Sequence, residues 1–146
     1  MKTIKTKKLV LDNAALEEEF FEDVMLIGIV SPLEPHQLIW RIQKATGFLF
    51  NRNPEHDIEI NGLFFPIYQF NEKGKFIEHI IYTNRKKTDF LLPEARNTDF
   101  IWMLKGSLQH AGYESMIPSI IQQINRVDHS FIINPAHLKN RQYLIL

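Results

Sequence analysis

The chain has 146 residues, 45% of which are hydrophobic, a length and composition typical of one globular domain. Its 17 basic and 17 acidic residues cancel, so no excess of charge demands a polyanionic partner, and the absence of cysteine excludes disulfides and thiolate metal sites. The longest apolar run, Val24–Val30, is too short to span a bilayer, and the N-terminus lacks the apolar stretch of a signal peptide. We therefore expect a cytoplasmic protein with no membrane span, folded as a single domain over residues 1–146 with 1–23 as a peripheral N-terminal segment.

The first elements alternate between strand and helix patterns. Lysine-rich residues 7–11 predict a short edge strand, because lysines discourage pairing at an exposed edge. The acidic stretch 14–23 predicts a helical turn or an extended lead-in, and the unbroken apolar run Val24–Val30 predicts a central strand covered on both faces. Residues 36–46 have the apolar spacing of an amphipathic helix, and Gly47 stands where such a helix ends.

Short strands and turns follow in the middle of the chain. Residues 48–50 and Ile58–Ile60 predict two short strands, and Asn61-Gly62 is a tight-turn dipeptide. The apolar and aromatic segments 63–70 and 76–83 flank a polar, glycine-containing loop. They therefore predict a β-hairpin.

The last third repeats the strand–helix–strand order. A basic loop at 84–90 precedes a strand at 99–105, and isoleucines at helical spacing predict a second helix within 114–126. Residues 127–134 predict the last strand, and the apolar tail 143–146 is expected to dock on the body of the domain.

Two strand–helix–strand halves around a hairpin predict the overall architecture. With right-handed crossovers, such halves form one antiparallel or mixed sheet with both helices on the same side. We therefore predict an α+β fold, a ferredoxin-like two-layer sandwich of two strand–helix–strand halves with an inserted β-hairpin and with the helices on one face of the sheet.

The sequence L-P-E-A-R-N-T-D-F, which begins at Leu92, resembles the signature of the bacterial IPExxxVDY family. Pro93, Glu94 and Asp99 match the signature outright, and Leu92 and Phe100 stand where the family has Ile and Tyr. We call this segment, residues 92–100, the signature segment.

Within the signature, Thr98 stands where the family has Val. Two further segments, 26–31 and 81–84, resemble the family's early strand and the stretch before its signature. The resemblance covers the chain from about residue 21 to the C-terminus. It implies a bacterial cytoplasmic protein of a family defined by its motif and not by an activity. It supplies no catalytic residue.

The two signature carboxylates have a structural and a functional interpretation. Glu94 follows a proline at the start of a helical turn, where a carboxylate is favoured, and Asp99 could accept backbone N–H bonds and fix the loop. A functional interpretation would bring both into one acid–base or ligand site. We favour the structural interpretation, because a spacing of five across a turn does not place them in one pocket.

No constellation in the sequence indicates catalysis, a metal or a cofactor. The six histidines lack metal-type spacing, and the nearest cluster, His56 between Glu55 and Asp57, is expected to be a solvated loop. Nucleophile-elbow, Walker and dinucleotide-binding glycine motifs are absent from the sequence. We therefore predict a protein that is not an enzyme, with no catalytic residue, no metal site and no cofactor.

The preferred functional hypothesis is a protein-interaction or adaptor module. If helices cover only one face of the sheet, a partner is needed to bury the other, either another cytoplasmic protein or a second copy in a homodimer. The residues proposed to contact it are the hairpin aromatics Phe64, Tyr68, Phe70, Phe76 and Tyr82.

Two alternatives stay open. One is an ACT-like regulatory domain that senses a small molecule at a dimer interface, between helix and strand loops near Ser31, Pro32 and Gly106. The other is RNA binding through four lysines between residues 2 and 8 and through the basic loop. The loop residues proposed to bind nucleic acid are Arg85, Lys86 and Lys87.

Overall fold

Strands dominate the part of the chain that the computed structural model describes, residues 13–107 and 112–146. The predicted edge strand at residues 7–11 lies outside these ranges. The helices are α1 (residues 13–21), α2 (Pro35–Thr46) and α3 (Tyr113–Gln123), and the strands are β1 (Val24–Val30), β2 (Ile58–Ile60), β3 (Leu63–Phe65), β4 (Ile67–Glu72), β5 (Ile77–Thr83), β6 (Arg85–Lys86), β7 (Asp89–Phe90), β8 (Phe100–Gly106) and β9 (His129–Ile133).

Five strands form the main sheet in the order β4-β5-β8-β1-β9, and every neighbouring pair is antiparallel. The predicted α+β class and the β4–β5 hairpin are therefore confirmed. Because β1 and β5 both run antiparallel to β8 between them, they run in the same direction. Their carboxyl ends consequently lie at the same end of the sheet.

α2 forms where the apolar spacing predicts it. Leu38, Ile39 and Ile42 are buried on one face of the helix. Pro35 occupies the first turn, where a missing N–H costs nothing. Gly47 adopts a left-handed φ of 79° and donates its N–H to a carbonyl of the last turn, a conformation that a residue with a Cβ rarely accepts.

α2 and α3 cover one face of the main sheet, as predicted. Alternate residues of β1, β5 and β8 point into this layer, and Trp102 is fully buried at its centre. The helices contribute Leu38, Ile42, Ile117 and Ile121. We call this layer the helix-side core.

The opposite face is also covered by the chain itself, which corrects the prediction of a two-layer sandwich with one open face. Phe21 from α1 packs there, so at least this residue of the predicted peripheral segment belongs to the core. Phe65 and the C-terminal Leu144 join it, and the buried Tyr82 hydroxyl donates to the Leu144 carbonyl. The predicted docking of the tail is thus confirmed, and no partner is needed to bury this face.

The prediction of a strand at residues 48–50 is wrong. These residues have no ladder partners, and only an isolated bridge joins Asn51 to Gln69. Phe48 instead stacks on Phe70 with ring centroids 5.2 Å apart. Phe48 and Phe50 therefore pack against the helix-side core without joining the sheet, whereas Leu49 is exposed.

A hydrogen-bonded histidine lies inside this aromatic layer. His79 is fully buried, and Trp102 Nε1 donates to its Nδ1 over 3.1 Å. Because an indole N–H can only donate, Nδ1 must be the acceptor and the proton of the neutral ring lies on Nε2. Nε2 then donates to Glu72 over 3.0 Å, and Tyr113 donates to the other Glu72 oxygen over 2.6 Å.

This network predicts a loss of stability in mild acid. Burial lowers the pKa of His79, although its bond to Glu72 acts in the opposite direction. In the unfolded chain His79 therefore binds a proton near pH 6.5, whereas in the folded chain it binds that proton only at lower pH. We expect the free energy of unfolding to fall as the pH drops below about 6.5.

Melting temperatures measured between pH 7.5 and pH 5 test this expectation. His79→Gln should be less stable than the natural chain at pH 7.5 but should lose less stability on acidification. His137→Gln, which changes an exposed histidine, should keep the natural pH dependence. If the melting temperature of His79→Gln falls with pH as steeply as that of the natural chain, His79 is not the source of the pH dependence.

Candidate functional site

Asn84 fixes the position of the signature segment. It follows directly after β5 and is fully buried. Its Nδ2 donates to the carbonyls of Ala95 and Thr98, both over 2.9 Å, and its Oδ1 accepts from the Leu92 N–H over 2.8 Å. Every polar atom of the side chain is thus paired, and the signature segment is held against the end of β5.

Asp99 extends this attachment to β1. Its backbone N–H donates to the Ile29 carbonyl over 2.9 Å, and its Oδ2 accepts from the Ser31 N–H over 2.9 Å. Its Oδ1 lies 3.5 Å from Arg85 Nη1. The carboxylate therefore accepts a backbone N–H and fixes a loop, the contact that the structural interpretation expects.

Glu94 points to a different part of the molecule. Its two oxygens accept from the backbone N–H and the side-chain amide of Asn140, over 3.3 and 2.8 Å. Asn140 lines a cleft of about 460 Å³ together with Pro93 and Arg96, whereas Asp99 lines another cleft. The two carboxylates do not share a pocket, so the paired acid–base interpretation is wrong.

The cleft beside Asp99 has a volume of about 640 Å³ and lies at the end of the sheet where β1 and β5 terminate. One side is the turn from Ser31 to Pro35, which leads into α2. The other is the end of β5 and the basic segment 85–87, and the start of β8 closes the floor. We call it the sheet-end cleft.

Thr83 lines this cleft, and its hydroxyl is buried. The residue is 4% exposed, and its Oγ1 has no hydrogen-bond partner within the described residues. Two other buried oxygens, on Asp57 and Ser130, also lack a partner, but neither residue lines the cleft. A buried hydroxyl without a partner costs about 1–3 kcal/mol, so this position is unfavourable unless something binds there.

The basic segment lies along the wall of the cleft. Arg85 donates through Nε to the Lys87 carbonyl over 3.2 Å, and Lys86 donates to the Phe64 carbonyl over 2.9 Å. Lys87 has a left-handed φ of 58° in the turn between β6 and β7. The three residues that the sequence singled out for nucleic acid thus meet Asp99 and Ser31 in one cleft.

The residues of the ACT-like hypothesis do not meet within one chain. Ser31 and Pro32 line the sheet-end cleft. Gly106, however, is the last residue of β8, whereas Phe100, the first, lies at the cleft. Gly106 is therefore at the far end of the sheet.

The five hairpin aromatics do not form one surface. Phe64 is 50% exposed and Phe76 88% exposed. Tyr68 and Phe70 are partly buried against the helix-side core, and Tyr82 is fully buried on the opposite face. Tyr82 is therefore unable to contact a partner, which corrects its assignment as a binding residue.

The loop around His56 contacts β4 and is closed by an ion pair of its own. His56 Nδ1 lies 2.9 Å from the Gln69 side-chain oxygen, and Asp57 pairs with Arg52 over 2.6 Å. Within residues 13–107 and 112–146, His, Asp and Glu side chains form no group of three that could hold a metal ion.

Sequence reasoning missed Thr83 and Asn84 as site residues. Both are polar and stand at the carboxyl end of an otherwise apolar strand, directly before the basic loop. Ligand sites often form beyond strand ends, so this position was a usable signal. It could not show that one side chain is paired and the other is not.

Comparison with known proteins adds no assignment, since no family model, no curated protein and no solved structure matches the chain. The resemblance to the IPExxxVDY family therefore stays a prediction. None of the described helices has the length and apolar character needed to cross a membrane.

The Asn84 contacts predict a large stability effect. Asn84→Ala leaves the Leu92 N–H and the Thr98 carbonyl without their partner among the described residues, and the Ala95 carbonyl keeps only its bond from the Thr98 N–H. We therefore expect a loss of about 3 kcal/mol in the free energy of unfolding. Urea denaturation measures it. Asn97→Ala, which changes an exposed asparagine of the same segment, is the matched control and should be nearly neutral. Equal losses in both variants would contradict the assigned role of Asn84.

Proposed function

We propose that this chain is a non-enzymatic domain that binds a small molecule in the sheet-end cleft. The observation that carries the proposal is a cleft of about 640 Å³ lined by Thr83, a residue whose buried hydroxyl has no hydrogen-bond partner within the described residues. This volume is within the range of ligand pockets, about 300–1,000 Å³. A ligand that pairs with the hydroxyl would remove the cost of burying it.

The contacts of the other polar groups in the cleft favour binding over catalysis. The Ser31 hydroxyl donates to the Arg126 carbonyl over 2.7 Å, so its proton is not directed at a base. Asp99 is held by a backbone N–H and by Arg85. A nucleophile activated by a neighbouring base is therefore not part of the proposal.

The proposal corresponds to the small-molecule alternative and not to the preferred adaptor hypothesis. An adaptor needed an open sheet face, and that face is filled by α1, the β2–β3 pair and the C-terminal segment. Phe64 and Phe76 alone keep the exposure that a protein contact through the hairpin aromatics requires.

We also propose the finer fold and family assignments. The order β9-β1-β8-β5, with α2 and α3 on one face, supports a ferredoxin-like plan to which β4 adds an edge strand. The contacts of Asp99 and Glu94 give the signature a structural purpose, which supports membership of the IPExxxVDY family.

Thr83→Val tests the proposed function, because it replaces the hydroxyl by a methyl group of the same shape. Without ligand, the variant should be as stable as the natural chain or more stable by about 1 kcal/mol. Thr98→Val is the matched control: the Thr98 hydroxyl has one proton and can donate it to the carbonyl of Ile29 or of Phe100, which lie 3.0 and 2.9 Å away, so its removal should destabilise the fold. Thermal melts of both variants measure these opposite effects.

Ligand binding is measured with four probes that each contain a benzene ring and differ in the polar group attached to it: phenyl phosphate, benzoate, benzylamine and benzyl alcohol. At least one should raise the melting temperature of the natural chain, and Thr83→Val should weaken or abolish that rise. The proposed function is wrong if no probe binds in a way that depends on Thr83. It is also wrong if Thr83→Val alone unfolds the domain as much as Thr98→Val does.

A further inference from the structure

We infer that the ligand of the sheet-end cleft carries an anionic group, a phosphate or a carboxylate, joined to an apolar body. The inference rests on the proposed function and adds the chemical class of the ligand. It depends on which polar groups of the cleft are still free to bind and on the nature of its walls.

The charges that line the cleft favour an anion. Three cationic side chains, Arg85, Lys86 and Lys87, face two carboxylates, Glu34 and Asp99. The surplus is one positive charge. It is an exposed charge, so its effect on binding should depend on salt.

The contacts of the two carboxylates sharpen this imbalance. Asp99 accepts from the Ser31 N–H through Oδ2, and Arg85 lies 3.5 Å from its Oδ1, so its negative charge is partly offset within the chain. Glu34 is exposed and occupies the N-cap of α2, where a carboxylate is stabilised by the helix.

The cations keep most of their donors. Arg85 commits Nε to the Lys87 carbonyl, but its contact with Asp99 is long, 3.5 Å, and 57% of the side chain is exposed. Lys87 is exposed and pairs with no carboxylate of the described residues. A guanidinium fork beside an ammonium group suits the several oxygens of a phosphate or a carboxylate.

The rest of the wall indicates the body of the ligand. Pro32, Leu33, Pro66 and Phe100 line the cleft and present carbon to it. An inorganic ion would leave this apolar surface in contact with water, whereas a ring or short hydrocarbon joined to the anion would cover it. The Thr83 hydroxyl can then donate to the ligand and obtain the partner it lacks.

Titration calorimetry with the four ring probes tests the inference on the full chain. Phenyl phosphate or benzoate should bind, and benzylamine and benzyl alcohol should bind at least tenfold more weakly. The stronger of the two anions identifies the group as phosphate or carboxylate. Raising the salt from 50 to 500 mM should weaken anion binding.

Two variants assign the binding to the cleft. Lys87→Gln should weaken anion binding about fivefold, and Arg85→Gln should weaken it at least as much. Lys139→Gln, an exposed lysine outside the cleft, should change nothing. Because Arg85 also approaches Asp99, Lys87→Gln is decisive if Arg85→Gln lowers the melting temperature.

The outcomes distinguish a failure of this inference from a failure of the proposed function. If benzylamine or benzyl alcohol binds as tightly as the anions and its binding depends on Thr83, the anionic class is wrong while the proposed function stands. If an anion binds but Lys139→Gln weakens it as much as Lys87→Gln, the cleft is not its site and the inference is overturned. If no probe binds in a way that depends on Thr83, the proposed function fails as well.

Discussion

Three hydrogen bonds from the Asn84 side chain hold the signature segment against the end of the main sheet. A buried chain reversal has backbone groups that water cannot reach, and each must find a partner inside the protein. One side chain supplies three of these partners, to Leu92, Ala95 and Thr98. With the segment held there, Asp99 reaches the N–H of Ser31 at the end of β1, and the sheet-end cleft acquires two of its walls. The cleft therefore depends on a side chain that does not line it.

The elements predicted well are those with a strong local pattern. β1 matches its prediction residue for residue because an unbroken apolar run has little choice but to be buried, and α2 matches because of its spacing. The covering of the second sheet face was missed for the opposite reason. Phe21, Leu91, Leu138 and Leu144 come from four separate segments, and no local period links them. Residues 48–50 show the converse error, since an apolar pattern records burial and not whether the backbone has a ladder partner.

The site could be predicted only in its parts. The basic residues 85–87 and Asp99 are visible in the sequence, but the contact between Asp99 and Ser31 spans 68 positions, and composition or spacing does not reveal it. Thr83 and Asn84 are neighbours of similar polarity, yet one is left without a partner and the other has all of its polar atoms paired. That difference arises from which carbonyls the folded chain brings near, so only the three-dimensional arrangement shows it.

The position of β1 in the sheet has a consequence for how the chain folds. Its neighbours are distant in sequence: Leu26 pairs with Met103 and with Ile133. Closing loops of that length costs conformational entropy before any contact offsets it. The β4–β5 pair needs only the short turn at residues 73–76, so it can form early. We expect slow folding in which β1, an interior strand of the native sheet, is among the last to join, and in which its apolar run stays exposed until then.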